Sequence, residues 1–159
     1  MTHKEAAESG RISVARNKRA RFDYHLLDTF EAGIVLTGTE VKSLRAGKAN
    51  ISDAHGIVRD AELFLLNAHI PEYEQRGYAT HEPTRSRKLL LHRKEIRRLI
   101  GSVEREGLTL VPLELYFRRG KAKVALALAK GKKVHDKRED TKRRDAEREM
   151  ARVERARRR

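Results

Sequence analysis

The chain contains no cysteine and no tryptophan. The absence of cysteine excludes disulfides, thiolate metal sites and cysteine nucleophiles, and it is compatible with a reducing cytoplasm. No stretch approaches the roughly 18 consecutive apolar residues that a membrane span requires, and the N-terminus lacks an apolar signal segment. We therefore expect a cytoplasmic protein with no membrane partner.

Aromatic residues are also scarce, whereas positive charge is abundant. Only four Tyr and four Phe are present, but the formal net charge is +14. A basic surface gains free energy from counterion release when it binds phosphates, so nucleic acid is the leading predicted partner. An acidic membrane would require bulky apolar anchors along an amphipathic helix, and the basic C-terminal segment lacks them.

Half of the excess positive charge lies in the last thirty residues. Residues 130–159 contain fourteen Lys or Arg against seven Asp or Glu, and their only apolar side chains larger than alanine are Val134, Met150 and Val153. So few apolar groups cannot offset the entropy of ordering the segment. Acid-base pairs four residues apart, such as Glu139 with Arg143, favour a helix once a partner supports it. We predict a basic tail that is disordered when free and helical against RNA.

Short apolar runs predict five or six strands in the rest of the chain, at residues 32–37, 57–58, 63–66, 88–91, 108–117 and 122–129. A tight polar turn at residues 59–62 joins two of them as a hairpin. Alanines alternate with Val124, Leu126 and Leu128, which suits a small closed sheet. We predict a mainly β fold, a small antiparallel OB-type barrel over residues 17–129 with two or three flanking helices. A flexible N-terminus, residues 1–16, precedes it.

Two helices are predicted around the strands. Thr39 can cap the first, which Gly47 would end. The second has apolar residues at helical spacing and ends at Gly107. Its apolar stripe consists of Ile96, Leu99, Ile100 and Val103. The polar residues 72–87 are expected to form a surface loop that carries Arg76, Arg85 and Arg87.

Three possible motifs do not support an enzymatic or nucleotide site. Residues 33–39 have the glycine spacing of a phosphate-binding loop, but Thr39 and Glu40 stand where Lys and Ser or Thr are required. Residues 76–79 match part of an RNA-recognition-motif signature without its required Phe, although Tyr78 could stack on a base. The seven histidines show no metal-ligand spacing. We therefore expect no metal, no cofactor and no catalytic residue, with a ribonuclease that uses His25 and His135 as the enzymatic alternative.

The chain resembles the SsrA-binding family, small protein B, over nearly its whole length from Asn17. The matching blocks are NKRAR at 17–21, FEAGI at 30–34, TGTEVKSLRAGKAN at 37–50, TRSRKLLLH at 84–92, LELYF at 113–117, AKGKK at 129–133 and HDKR at 135–138. The resemblance implies an OB-type barrel that binds the tRNA-like domain of transfer-messenger RNA. With GTP-bound elongation factor Tu, it would deliver that RNA to stalled ribosomes in trans-translation.

The resemblance also implies two groups of site residues. The barrel residues that would hold the RNA are Asn17, Lys18, Arg19, Arg21, Tyr24, Glu31, Leu91 and Lys123. The tail would enter the decoding centre and empty messenger channel of the small ribosomal subunit and contact its ribosomal RNA. The tail residues assigned to this role are Gly131, Lys132, Lys133, His135, Asp136, Lys137, Arg138, Met150 and Val153.

Three other functions remain open on the residues alone. A general single-strand binder could use a barrel with a basic arm, but it would need more aromatic stacking platforms. A ribonuclease would depend on His25 and His135. A ribosomal or assembly protein would stay bound to translating ribosomes, whereas a rescue factor would be enriched on stalled ones.

Overall fold

The computed structural model describes residues 10–73 and 81–158, and in these ranges it contains seven strands and four helices. The strands are β1 (Arg11–Arg16), β2 (Tyr24–Ile34), β3 (His55–Arg59), β4 (Glu62–Leu66), β5 (Arg87–Leu90), β6 (Thr109–Arg118) and β7 (Lys121–Gly131). The helices are α1 (Ala20–Asp23), α2 (Gly38–Arg45), α3 (Arg93–Glu106) and α4 (Val134–Arg157).

Six of the strands close into a barrel. The order β6-β3-β4-β5-β2-β7 returns to β6, and every pairing is antiparallel. This architecture confirms the predicted mainly β, OB-type fold. The sequence assigned residues 1–16 to a flexible N-terminus, but Arg11–Arg16 instead pair with β6 as β1 on the outside of the barrel. Residues 1–9 lie outside the described ranges.

The barrel core follows from the alternation along the strands. Val124, Leu126 and Leu128 of β7 point into the main core, where Leu126 is fully buried. The alanines between them occupy the opposite, outer face of β7. There Ala129 packs against Ala20 of α1, so the short helix covers this part of the sheet. The small side chains therefore allow close packing outside the barrel rather than inside it.

Gly56 allows the barrel to close between β3 and β6. It lies opposite Leu110, and a Cβ atom at Gly56 would be only 2.7 Å from the Leu110 Cβ. Since ordinary side-chain contacts are longer, only glycine fits without displacing β6. The predicted hairpin also forms, with positive φ angles of 50° at Asp60 and 59° at Ala61 in its turn.

Helices α2 and α3 form where the periodicity places them, with one correction to a cap. Thr37, not the predicted Thr39, caps α2, because the Glu40 amide donates to the Thr37 hydroxyl and the Thr37 amide donates to the Glu40 carboxylate at 2.8 Å. This reciprocal arrangement is a capping box. Helix α3 ends as predicted at Gly107, whose φ of 67° is in the left-handed region.

A buried ion cluster joins α2 to β5 and corrects the predicted surface loop over residues 72–87. Glu40 accepts from Arg85 and Arg87 at 2.5 Å each, and both Glu40 and Arg87 are fully buried. Arg87 also donates to the Ala68 carbonyl at 2.7 Å. Residues 74–80, including Arg76 and Tyr78, lie outside the described ranges, but the end of the segment packs into the protein.

The buried position determines the charge state of Glu40. Burial by itself would raise the pKa of the carboxyl, but hydrogen bonds from Arg85, the Thr37 amide and Arg87 outweigh it and lower the pKa to about 2. Glu40 is therefore ionised at neutral pH and balances the buried charge of Arg87. None of the helices within the described residues is long and apolar enough to cross a membrane.

Candidate RNA interface

The outward side chains of β2, β7 and β6 form one continuous surface. Lys123 of β7 pairs with Gly33 of β2 on one side and with Tyr116 of β6 on the other. Since Val124 and Leu126 point into the core, the alternation along β7 directs Lys123 outward. The outer sheet face, as we call this surface, is defined by Glu31, Tyr116, Arg118 and Lys123.

Glu31 organises the hydrogen bonds of the outer sheet face. The Tyr116 hydroxyl donates to its carboxylate at 2.5 Å, and Arg118 donates to the same oxygen at 3.0 Å. The hydrogen bond from Tyr116 is the main cause that lowers the pKa of Glu31, and the positive charges of Arg118 and Lys123 lower it further. Burial acts in the opposite direction, but the net effect is a lowered pKa. Glu31 is thus an anion that fixes two neighbouring groups, while Lys123 remains available to bind phosphate.

Tyr116 supports this surface but cannot stack on a base. Its side chain is 2% exposed, and the Arg11 guanidinium covers the ring at 3.7 Å from the ring centre. Arg11 is fixed in turn by Glu114 at 2.6 Å. Burial raises the pKa of Tyr116, and its bond to Glu31 adds to the shift, so the phenol stays neutral and donates.

The predicted basic residues around α1 divide into two roles. Asn17 joins the segment to β6, because its side-chain amide donates to the Pro112 carbonyl at 3.0 Å and its backbone amide donates to the Leu113 carbonyl at 2.8 Å. Tyr24 is partly buried and packs against Ala20. The predicted cations of this group are exposed: Lys18, Arg19 and Arg21. Asn17 and Tyr24 therefore hold the segment in place, and the three cations can face a polyanion.

Leu91, which the resemblance placed at the RNA, faces the protein interior. It is partly buried and packs against the main core, as does Leu89 of β5. The side chain between them, Leu90, is 49% exposed and lies over Gly33 of β2, next to the outer sheet face. Leu90 is therefore an apolar side chain that is available at this surface. Side chains along a strand alternate between the inside and the outside, so Leu90 and Leu91 must face opposite ways. Because three leucines follow one another, the sequence does not show which of them faces inward.

The start of the tail is attached to the barrel. Gly131 ends β7 opposite Tyr24, and the Lys132 amide donates to the Asp23 carbonyl at 3.0 Å. The Lys132 ammonium donates to the Arg21 carbonyl at 2.8 Å and forms an ion pair with Asp140. The bond from Lys132 lowers the pKa of Asp140, so this pair is charged at neutral pH. Lys132 thus fixes the first turns of α4 beside α1.

Two of the predicted decoding residues also contact the barrel. Asp136 accepts a hydrogen bond from the Lys133 amide at 3.3 Å and bonds to His25 of β2 at 3.4 Å. Both bonds lower the pKa of Asp136, and the bond to His25 has the larger effect. Lys137 forms an ion pair with Asp23 at 3.3 Å. These groups are held on the protein itself in this conformation.

Most of α4 is exposed to solvent, although the Arg144 guanidinium still lies over the Phe22 ring of α1 at 5.5 Å from the ring centre. His135 bonds to Glu139 of its own helix at 3.1 Å, and Arg138 is exposed. Met150 and Val153 are 72% and 44% exposed, so neither of these apolar tail residues is packed in a core. Their exposure on a basic helix leaves them free for an external partner.

The arrangement suits binding by charge and shape. Within residues 10–73 and 81–158, none of the large exposed apolar side chains is aromatic, and no group of three or more acidic or histidine residues could hold a metal ion. A closed antiparallel barrel with a cationic outer face and a basic helical arm defines an OB-type polyanion-binding protein.

Comparison with known proteins assigns the chain within this class. A family model described as SmpB protein matches residues 14–156. A relative from Acidothermus cellulolyticus called SsrA-binding protein is 60% identical over 148 residues, which cover 93% of each chain. One of the same name from a Nostoc species is 58% identical over 150 residues, covering 94% of this chain and 96% of the relative. The chain belongs to the SmpB family.

A solved structure agrees with this assignment. It is described as "tmRNA-SmpB: a journey to the center of the bacterial ribosome", and its matching chain is 57% identical to this one. The superposition covers 76% of this chain and 85% of the other, with a TM-score of 0.63. The fold and the family assignment are therefore supported independently.

Proposed function

We propose that this protein binds the tRNA-like domain of transfer-messenger RNA and acts with it on stalled ribosomes in trans-translation. The observation that carries the proposal is the family match over residues 14–156, which includes both the barrel and most of the tail. The relatives are called SsrA-binding proteins, and the similar solved chain is described with transfer-messenger RNA and the bacterial ribosome. Elongation factor Tu with GTP is the proposed indirect partner, and the cytoplasm is the proposed location.

In this proposal the barrel recognises a folded RNA element through the outer sheet face. Lys123 and the exposed cations Lys18, Arg19 and Arg21 bind phosphates, and Leu90 provides apolar contact with a ribose or base. Glu31 holds Arg118 and Tyr116 in place. The scarcity of exposed aromatic side chains favours recognition of shape and backbone over stacking on single strands.

The tail is proposed to occupy the decoding centre and the empty messenger channel. The contacts that hold Lys137 and Asp136 to the barrel are partly exposed, and exposed ion pairs contribute only about 0 to 1 kcal/mol each. Phosphates of ribosomal RNA can therefore replace them at small cost. Gly131, Lys132 and Lys133 would serve as the pivot, and His135 to Arg138 as the decoding contacts, with Met150 and Val153 further along the channel.

Binding rather than catalysis is the proposed mode of action. The two histidines of the ribonuclease alternative each have an acidic partner at the start of α4: His25 bonds to Asp136 and His135 to Glu139. These bonds tie α4 to the barrel and to itself. A labelled stem-loop incubated with the protein should stay intact, and cleavage abolished by His25→Ala would overturn this part of the proposal.

The first test compares three RNAs over a salt series: the isolated tRNA-like domain, an ordinary tRNA and a single-stranded oligomer. The full chain should prefer the tRNA-like domain at every salt concentration. A protein truncated after residue 133 should keep this preference but lose activity in a peptide-tagging assay on stalled ribosomes. Equal binding to all three RNAs, with a collapse at high salt, would overturn the proposed function.

A second test uses two adjacent leucines as matched variants. Leu90→Ala should weaken binding to the tRNA-like domain by about tenfold and leave thermal stability nearly unchanged, because Leu90 is half exposed. Leu91→Ala should lower thermal stability and leave the affinity of the folded fraction unchanged. If Leu91→Ala weakened RNA binding and Leu90→Ala did not, the RNA contact would belong to Leu91 and not to Leu90.

A further inference from the structure

Helix α3 has a cationic face that the proposed interface does not use. Leu99 is fully buried, and Ile96 and Val103 pack against the main core, so the opposite side of the helix points away from the barrel. Four exposed cations share that side at helical spacing, and we call them the α3 basic strip. They are Lys94, Arg97, Arg98 and Arg105.

Most of the strip has no anionic partner on the protein. Arg98 forms an ion pair with Asp28 of β2. Lys94, Arg97 and Arg105 make no ion pair within the described ranges, 10–73 and 81–158. In α4, by contrast, cations pair with acids on their own helix. Phosphate can therefore bind three of the four strip cations without displacing an internal partner.

A groove beside the strip offers room for an RNA backbone. It has a volume of about 400 Å³ and runs between α3 and the β2 residues Leu27 and Asp28. Gly101 lies among the strip cations, and a Cβ atom there would have no neighbour within 4 Å, so the helix backbone can be approached closely. Leu27 is 56% exposed and can contact a sugar.

The strip lies on a different element from the outer sheet face. The outer sheet face lies on the outside of β2, β7 and β6, whereas α3 packs with its apolar side on the core and turns the strip outward. At 1.5 Å per residue, Lys94 and Arg105 are about 16 Å apart along the helix, enough to contact more than one phosphate. Arg97 and Arg98 lie between them.

We propose that the α3 basic strip is a second RNA contact surface, which binds the phosphodiester backbone without reading sequence. The identity of the partner as RNA rests on the proposed function. The protein would then hold RNA on two faces at once, and the backbone at the strip could belong to transfer-messenger RNA or to ribosomal RNA. Both have the same phosphodiester chemistry, and the experiments below separate them.

The first experiment removes equal charge from two places in the full chain. Arg97→Gln with Arg105→Gln alters the strip, and Arg59→Gln with Lys88→Gln alters the barrel wall formed by β3, β4 and β5. Each phosphate contact contributes about 0.7 to 0.9 to the slope of log affinity against log salt. With full-length transfer-messenger RNA as probe, the strip variant should lose about 1.5 from the slope and about tenfold in affinity at low salt.

The control variant should keep the wild-type slope, and thermal unfolding should show that both variants fold. If transfer-messenger RNA alone gives no difference, the same pair is compared for binding to a stalled ribosome complex, which tests ribosomal RNA. Strip and control variants that behave alike with both probes would overturn the proposal.

The second experiment maps the contact directly. The chain has no cysteine, so a single introduced cysteine can carry a hydroxyl-radical probe without further changes. Gly101→Cys reports on the strip, Lys121→Cys on the outer sheet face and Glu62→Cys on β4, the wall opposite β7. In complexes with transfer-messenger RNA, with and without a stalled ribosome, position 101 should cleave RNA and position 62 should not cleave transfer-messenger RNA.

The outcomes separate this proposal from the proposed function. Cleavage from position 101 in transfer-messenger RNA or in ribosomal RNA identifies which backbone the strip contacts. Cleavage from position 121 without any from position 101 would overturn the strip and leave the proposed function intact. Loss of cleavage from both positions, with no preference for the tRNA-like domain, would overturn the proposed function itself.

Discussion

The ion pairs of the barrel and those of α4 differ in how much water surrounds them. In the barrel, Glu40 and Arg87 meet at 2.5 Å and neither side chain is exposed. In α4, Arg152 and Glu149 meet at 2.6 Å with side chains 77% and 60% exposed. The distances are almost equal, so distance alone does not indicate what each pair contributes.

The difference lies in what remains when one partner is removed. Removal of Glu40 leaves Arg87 as a buried charge without its counter-ion, which is costly. Removal of Glu149 leaves Arg152 in water, where it is well solvated. The exposed pairs of α4 can therefore be exchanged for contacts with RNA phosphates, whereas loss of the buried barrel pair would destabilise the fold.

The largest expected effect comes from breaking the buried pair. Glu40→Ala should lower the free energy of unfolding by about 3 to 5 kcal/mol, because Arg87 keeps its charge in the interior. Urea denaturation of the full chain measures this. Glu149→Ala is the matched control in α4 and should change stability by less than about 0.5 kcal/mol. Similar losses in the two variants would contradict the comparison.

Apolar side chains should show the same contrast. Leu126→Ala removes a fully buried side chain from β7 and should lower the free energy of unfolding by about 2 to 5 kcal/mol. Met150→Ala removes a side chain that is 72% exposed on α4 and should be nearly neutral. Thermal unfolding of both variants provides the measurement. A large destabilisation by Met150→Ala would mean that α4 packs on the barrel in solution.

Acid should weaken the barrel through Glu40. Its pKa is about 2 in the fold against an ordinary 4.5, so its contribution is complete above pH 4.5 and is lost as pH falls toward 2. Between pH 4.5 and pH 3 the loss should be on the order of 1 to 2 kcal/mol. The difference in unfolding free energy between wild type and Glu40→Gln should shrink over this range. A difference that stays constant with pH would exclude Glu40 as the titrating group.

The smallest effect should come from removal of the distal tail. Truncation after residue 144 keeps Lys132, Lys137 and Asp140, which hold the start of α4, and removes only exposed helix. Stability of the barrel should change by less than about 0.5 kcal/mol, as measured by urea denaturation. Amide hydrogen exchange in the full chain should be fast over residues 145–158 and slow in β7, consistent with the predicted unfolding of the free tail. Slow exchange in both segments would contradict that prediction.

Periodic segments could be predicted from the sequence. Helix α3 follows from the spacing of Ile96, Leu99 and Val103, and Gly107 ends it because glycine enters the left-handed region at no steric cost. The long hairpin of β6 and β7 follows from apolar alternation on both sides of a polar turn, although a bulge between Pro112 and Glu114 shifts the register of β6. In these segments the spacing of apolar residues is compatible with only one type of secondary structure, so the sequence predicts it.

Segments without a clear pattern were predicted incompletely. Strand β2 begins at Tyr24, eight residues before the predicted run, because its first half is mostly exposed and is fixed by pairing with β7. The polar stretch at residues 72–87 predicts a surface loop, yet Arg87 at its end is fully buried. Its partner, Glu40, is 47 residues away in the chain, so no local window contains both.

In the candidate site, too, some features could be predicted from the sequence and others depended on tertiary contacts. The residue types and the basic tail point to RNA, and the family resemblance implies Glu31 and Lys123, which lie on one face. The choice between Leu90 and Leu91 depended on the phase of β5, which the run of leucines does not reveal. The contacts of Lys132 with Asp140 and of Asp136 with His25 depended on how α4 begins beside α1.

The sequence by itself determined the charge of the protein, the absence of thiol chemistry, the strand and helix periods and the separation of a core-forming region from a basic tail, since these depend on composition and local spacing. Only the tertiary structure decided which side chains share a face, which charges are buried and which cations lack a partner. The physical reason is that strand pairing and barrel closure bring together residues far apart in the chain, and burial there changes the free energy of each charge.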